Sequence, residues 1–248
     1  MEVLRRLSGL MARVMPVKTA LLRGGRPVAS ITFDDFPKTA WTNGGPILAR
    51  YGVRATYYTA GGFCGRTQDG TQFYGEEDLL ALHGQGHEIA CHGFAHEPAT
   101  SMSDAALAAD LSRNAQFLKP FLNGAAPASY AFPFGTVSLR TKRNVAGRYS
   151  SARGVHPGIN AGRADLAQLR SVSLERYLWD EAGIARAIAS AKQANGWIVF
   201  ATHEIAPDAS RHGSTPAMLE HVLKKLAESG IEVLPVREAL SVALGGTS

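Results

Sequence analysis

The stretch VASITFDDF, residues 28–36, is a short apolar, β-branched run that ends on two adjacent aspartates, Asp34 and Asp35. It reads as a strand whose tip carries two carboxylates. The same design recurs twice along the chain. HEIAC (His87–Cys91) leads into CHGFAH (Cys91–His96), and WIVFAT (Trp197–Thr202) leads into FATHEI (Phe200–Ile205). Three strand tips thus offer two carboxylates, two histidines four residues apart and a lone histidine. Such a set can supply ligands for one cation, a base for its water and an acid for a leaving group.

Outward from these strings, strand-like and helix-like segments alternate. Arg54–Thr59, Ser129–Phe132, Tyr149–Val155 and a last Ile231–Val236 read as strands. Helical segments lie at Pro46–Tyr51, Glu76–His83, Ser103–Leu122, Leu139–Gly147, Asp180–Gln193 and Pro216–Ser229, with a short one near Arg237–Leu244. Ser103 is placed to cap its helix, Pro216 opens another and Gly230 stops it. About seven strand–helix units at this rhythm predict an α/β fold, a barrel of parallel strands with crossover helices. In such barrels chemistry gathers at the carboxyl ends of the strands. Asp34, Asp35, His92, Phe134 and His203 all fall there. Gly61–Tyr74 is long, polar and glycine-rich and reads as a rim loop.

Bulk properties narrow the class. At 248 residues, 45% hydrophobic and 19% charged, the chain fits one large α/β domain. The formal charge is +5, but no block of like charges or basic stripe interleaved with aromatics points to nucleic acid. The two cysteines, Cys64 and Cys91, make no disulfide framework. Residues 1–24 form a basic amphipathic segment ahead of a catalytic domain at 25–248. Arg5, Arg6, Arg13, Pro16 and Lys18 interrupt it too often for a signal peptide, so the expected location is cytoplasmic. No stretch is long enough for a transmembrane span. A helix packed on the domain or a peripheral contact with an anionic membrane both suit that segment.

His92 and His96, at i and i+4, can aim two imidazoles at one cation, and a carboxylate from another strand would complete the set. Two histidines and a carboxylate with open positions suit Zn²⁺ first, with Co²⁺, Ni²⁺ or Fe²⁺ as neighbours. Adjacent aspartates at a strand end point in different directions, so one can bind the cation while the other faces the water. His203 is poised to protonate a departing amine or alkoxide. The turn Pro133–Phe134–Gly135 offers a backbone N–H for an oxyanion, and Phe132 and Phe134 can wall a sugar face. His87, at the far end of its strand, reads as structural. His83, His156, His212 and His221 lack metal-like spacing, although His156 and His212 sit in loops that can reach the rim.

These strings resemble the polysaccharide deacetylase (NodB-homology) family of carbohydrate esterases, in the family's motif order, from about Val28 to Leu244. The resemblance implies a distorted (β/α)7 barrel. By that likeness ITFDD supplies Asp34 as general base and Asp35 as metal ligand. HGFAH supplies the ligands His92 and His96. AFPFG places the Phe134 N–H in the oxyanion hole with Phe132, Pro133 and Gly135 along the substrate, and VFATH supplies His203 as general acid. The implied activity is removal of acyl groups, N-acetyl above all, from a carbohydrate. The alternatives are a metal-dependent amidase on a small non-sugar amide and a catalytically weak carbohydrate-binding protein. Three places depart from the family pattern. Ala131 stands where an arginine contacts the base, and Gly93 replaces a Ser or Thr. The fourth motif is not evident in VSLERYLW (Val172–Trp179), where Glu175 can substitute.

Overall fold

The structure, a computed structural model, describes residues 2–246. Seven parallel strands close into a barrel: β1 (Val28–Phe33), β2 (Thr56–Thr59), β3 (Glu88–Cys91), β4 (Ser129–Ala131), β5 (Ser151–Pro157), β6 (Leu169–Ser173) and β7 (Trp197–Thr202). Each pairs with the next in sequence, and β7 returns to pair with β1 in six-residue register, Trp197 opposite Val28 through Thr202 opposite Phe33. The (β/α)7 expectation is met with one exchange of strands. Leu169–Ser173 enters the ring, whereas the expected last strand shrinks to β8 (Glu232–Val233), attached to β1 alone. β2 pairs with β1 only at Thr32 and Phe33, which leaves Val28 and Ala29 as the short edge that Glu232 and Val233 occupy, and Pro235 lacks the N–H to extend that ladder.

Helices cover the wall: α1 (Glu2–Val14), α2 (Gly44–Arg50), α3 (Glu76–Gly84), α4 (Asp104–Leu118), α5 (Leu139–Ala146), α6 (Glu181–Gln193), α7 (Pro216–Ser229) and α8 (Val236–Ala243). The expected helix Ser103–Leu122 ends at Leu118 and tightens into a 3₁₀ turn around Pro120. Ser103 caps it by accepting from the Ala106 N–H, and Thr215 caps α7 from Met218. Strand alternation sorts the side chains. Ala29, Ile31 and Phe33 pack outward with Leu219, Val222 and Leu226 of α7. Val28 clusters with Trp197, Val199 and α8 instead. The inward row of β1 is therefore Val28, Ser30, Thr32 and Asp34, which delivers Asp34 to the carboxyl mouth of the barrel.

The amino-terminal mouth is closed by α8. Its first N–H groups, on Val236 and Arg237, donate to Thr56 Oγ1 and Glu88 Oε2, each at 2.8 Å. Glu88 also accepts from Ser129 Oγ at 2.8 Å and Thr56 Oγ1 at 2.9 Å. Burial pushes its carboxyl up, and these donors pull the other way. His87, expected to be structural, is buried beside it and accepts the Ala55 N–H at Nδ1, 3.0 Å away. Burial, with the Arg54 charge, depresses its ionisation to about 4 from an ordinary 6.5. The unfolded chain therefore binds a proton that the folded chain refuses. About 3 kcal/mol of stability, full above pH 6.5, is expected to disappear as pH falls towards 4. Urea unfolding across that window in wild type and His87→Gln, which keeps an acceptor but does not titrate, checks it; the same pH dependence in both would rule it out.

Candidate metal centre and active site

Asp35, His92 and His96 come together at the carboxyl mouth, with one ligand atom from each lying within 4.8 Å of the others. Their backbone is unusual. Asp35, Phe36, His96 and Phe134 all hold positive φ, between 53° and 62°. Non-glycine residues resist that region, and such strain concentrates where side chains must be aimed. The turn between the two histidines needs Gly93, at φ +73°, where a Cβ would stand 2.9 Å from Asp110 Oδ2. Asp110 of α4 accepts the next two N–H groups, of Phe94 and Ala95, each at 2.8 Å. A carboxylate from a neighbouring helix thus orders this turn, with no hydroxyl at position 93.

The donor set fits a cation. His92 Nδ1 lies 2.9 Å from the Ala131 carbonyl, so it carries the proton there and turns a bare Nε2 to the centre. Asp35 Oδ1 is 3.1 Å from His92 Nε2 and 2.8 Å from His96 Nε2. Despite those distances the buried Oδ1 makes no hydrogen bond of acceptable angle. Atoms that crowd one point without bonding to each other are arranged for something between them. Two imidazoles and a carboxylate suit Zn²⁺ or its divalent neighbours. Burial pushes the Asp35 carboxyl up, but the His92 and His96 imidazoles and the His203 charge hold it well below its ordinary range. For His92, burial works against protonation, and the two aspartates more than offset it.

Asp34 is held from a strand the motifs did not mark. Arg153 of β5, 1% exposed, donates through Nη2 to both Asp34 oxygens. Burial raises the Asp34 carboxyl, but Arg153 first, then His92 and His203, bring it below its usual value. The place lost at Ala131 is thereby filled from the adjacent strand. An arginine on the inward row of a short strand is the one available signal, because a buried guanidinium requires a carboxylate.

His203 Nδ1 lies 3.1 Å from the His212 carbonyl and 3.5 Å from Glu175 Oε1, and its Nε2 faces Asp35 Oδ2 at 3.8 Å. Glu175 follows β6. It is anchored by Ser173 Oγ at 2.8 Å and also reaches His212 Nδ1 at 3.0 Å. His212, which sequence spacing gave no metal role, joins as a carrier of that carbonyl and a neighbour of Glu175. Phe132, Phe134 and Gly135 line the cleft of about 590 Å³ that contains all these groups. Pro133 is buried and does not line it. The Phe134 ring packs on His96, with centroids 4.6 Å apart, and stays exposed on its other face. Exposed Tyr177, Leu178 and Val155 extend the rim, together with Thr71 and Phe73 from the expected rim loop.

The family model for polysaccharide deacetylase matches residues 22–150, just over half of the chain. It takes in Asp34, Asp35, His92, His96 and the Phe132–Gly135 turn, and stops before Arg153, Glu175 and His203. Solved structures of similar fold include a family 4 acetyl xylan esterase from Clostridium thermocellum in complex with a cobalt ion, at 19% identity over 87% of this chain and 91% of that one, TM-score 0.62. A family 4 carbohydrate esterase from Streptomyces lividans, in complex with acetate, matches at 18% identity over 84% and 91%, TM-score 0.60. The peptidoglycan deacetylase PdaC from Bacillus subtilis matches at 18% over 88% and 92%, TM-score 0.56. Comparison with curated protein sequences finds no match.

Proposed function

This chain belongs to the polysaccharide deacetylase family, and from that premise we propose that it is a metal-dependent hydrolase that removes acetyl groups from an acylated carbohydrate, N-acetyl groups above all. The observation that carries the reading is the convergence of Asp35, His92 and His96 beside the Arg153-held Asp34 in one cleft. A divalent cation held by the three ligands would supply a Lewis acid for the acyl oxygen and its attacking water. The acetate and cobalt seen in the two esterases of the same fold agree with that class of chemistry.

Each remaining step falls to a side chain. Asp34, ionised beside Arg153, takes the proton of the attacking water at a carboxylate oxygen. The Phe134 N–H donates to the oxyanion of the tetrahedral intermediate. His203 keeps Nδ1–H on the His212 carbonyl, so the proton it can release sits on Nε2, on the cleft side, where the leaving nitrogen or oxygen needs it. Glu175 pairs with the imidazolium from behind, and the exposed faces of Phe134 and Tyr177 offer stacking surfaces for sugar rings.

The test measures bound metal and released acetate together, with acetylated chromogenic esters and chito-oligosaccharides as substrates. Wild type is expected to hold near one metal per chain and to release acetate; His92→Ala is expected to lose both. Metal without acetate would move the search to small amides, and no metal in wild type would defeat the proposal.

A further inference from the structure

Helix α1 lies against the barrel with its small residues. Ala12 is fully buried in the cluster of Leu107, Val137 and Val145, and Gly9 sits over the Val137 carbonyl. The large apolar residues described in its last turns point the other way: Leu10 is 57% exposed, Met11 48% and Val14 69%, with Met15 beyond them. At about 100° per residue, positions 10, 11 and 14 share the face opposite 9 and 12. A helix that only packs on its domain would bury its large residues and expose its small ones. The side chains of Arg5 and Arg6, also expected in this amphipathic segment, lie outside the described residues.

The helix is fixed in this attitude. Buried Lys142 of α5 donates to the carbonyls of Ala12, in the last turn of α1, and of Met15 just past its end, and pairs with Asp165 Oδ2 at 2.6 Å. Asp165 in turn accepts the Val17 and Lys18 N–H groups. Next to this clamp is a cavity of about 380 Å³, lined by Arg13, Arg163, Arg170 and His156. Among the described residues Asp165 is the only acid on its wall, and Lys142 neutralises it. Among the described residues neither Arg13 nor Arg163 has an acidic partner, and the Arg170 guanidinium donates to the Pro157 carbonyl and to no acid. The cavity shares no residue with the catalytic cleft. Arg153, Val155 and Pro157 of β5 line the cleft while His156 faces the cavity, so the two sites occupy opposite faces of one wall.

We propose that this face is a docking surface for an anionic phospholipid bilayer: Leu10, Met11, Val14 and Met15 enter the acyl boundary while Arg13, Arg163 and Arg170 take lipid phosphates. The apolar residues alone would fit a second copy of the chain equally well. The charges decide between them, because a two-fold contact would set each arginine near the images of the others, whereas an anionic headgroup layer complements all three. No helix among the described residues is long and apolar enough to cross a membrane, so the contact is interfacial.

The full chain is to be pelleted with vesicles of phosphatidylcholine alone and of phosphatidylcholine mixed with phosphatidylglycerol, at low and high salt. Binding is expected to the mixed vesicles, and to weaken with salt. Arg163→Gln and Arg170→Gln should each lower partitioning about fivefold. Leu10→Gln with Val14→Gln should lower it about tenfold or more. Hydrolysis of a soluble acetylated substrate should be unchanged in all of them. Equal binding to both vesicle types, or indifference to the Leu10 and Val14 changes, would overturn the proposal. So would a dimer, seen by light scattering, that those two changes dissolve.

Discussion

Asp34→Asn is expected to lower kcat/KM for acetyl release by about 10³-fold while metal content stays at the wild-type level. The amide has the shape of the carboxylate but cannot take a proton from water. Metal should stay because Asp35, His92 and His96 are untouched, the turn between the histidines is held by Asp110 and the His92 ring by the Ala131 carbonyl. The two readouts separate the causes. Activity lost with metal retained places the fault in proton transfer; activity and metal lost together would mean that the strand tip had collapsed. Activity equal to wild type would remove Asp34 from the role of base.

Arg153→Met is expected to destabilise the metal-free protein by about 3–5 kcal/mol at neutral pH, since it leaves Asp34 buried and charged without its partner. The sign of the pH dependence follows. In wild type Arg153 helps hold the Asp34 carboxyl below its usual value, so the pair stabilises the fold above the unfolded carboxylate range and less as pH falls through the folded value. Without the arginine, burial acts unopposed and the Asp34 carboxyl rises. The acid limb of kcat/KM should therefore move to higher pH, and the stability gap from wild type should narrow as pH drops. Arg153→Lys should recover part of both effects, as one charged donor replaces a planar one. Denaturant unfolding of chelated protein and pH–rate profiles provide the check. Wild-type stability in Arg153→Met would show that the contact carries no weight.

The parts of this site that lie at motif tips were legible in the sequence because each tip is local: a strand run, then the chemical groups within five residues. Asp34, Asp35, His92, His96 and His203 all follow that rule. Arg153 and Glu175 do not. Their meaning depends on which strand stands beside which, and that is fixed by ring closure rather than by neighbouring residues. The same cause explains the exchanged strand. LRSVS, Leu169–Ser173, has a polar alternating pattern because its inward Ser171 faces the cleft and Arg170 faces the outer cavity. IEVLPV, Ile231–Val236, is apolar because it packs under the barrel, and it resembles a central strand more than the true member does.

Ring closure also sets the order in which this protein can come into being. The ladder that seals the barrel joins Val28–Phe33 to Trp197–Thr202, and a buried bond from Trp197 Nε1 to Ser30 Oγ spans 167 residues. Contacts of such long range form late and slowly. During synthesis β1 keeps one flank open until β7 leaves the ribosome. Asp34 stands just after the first of these strands and His203 just after the last. A nascent chain therefore presents Asp34, Asp35, His92 and His96 well before it presents His203, and β1 keeps an exposed edge over the same interval.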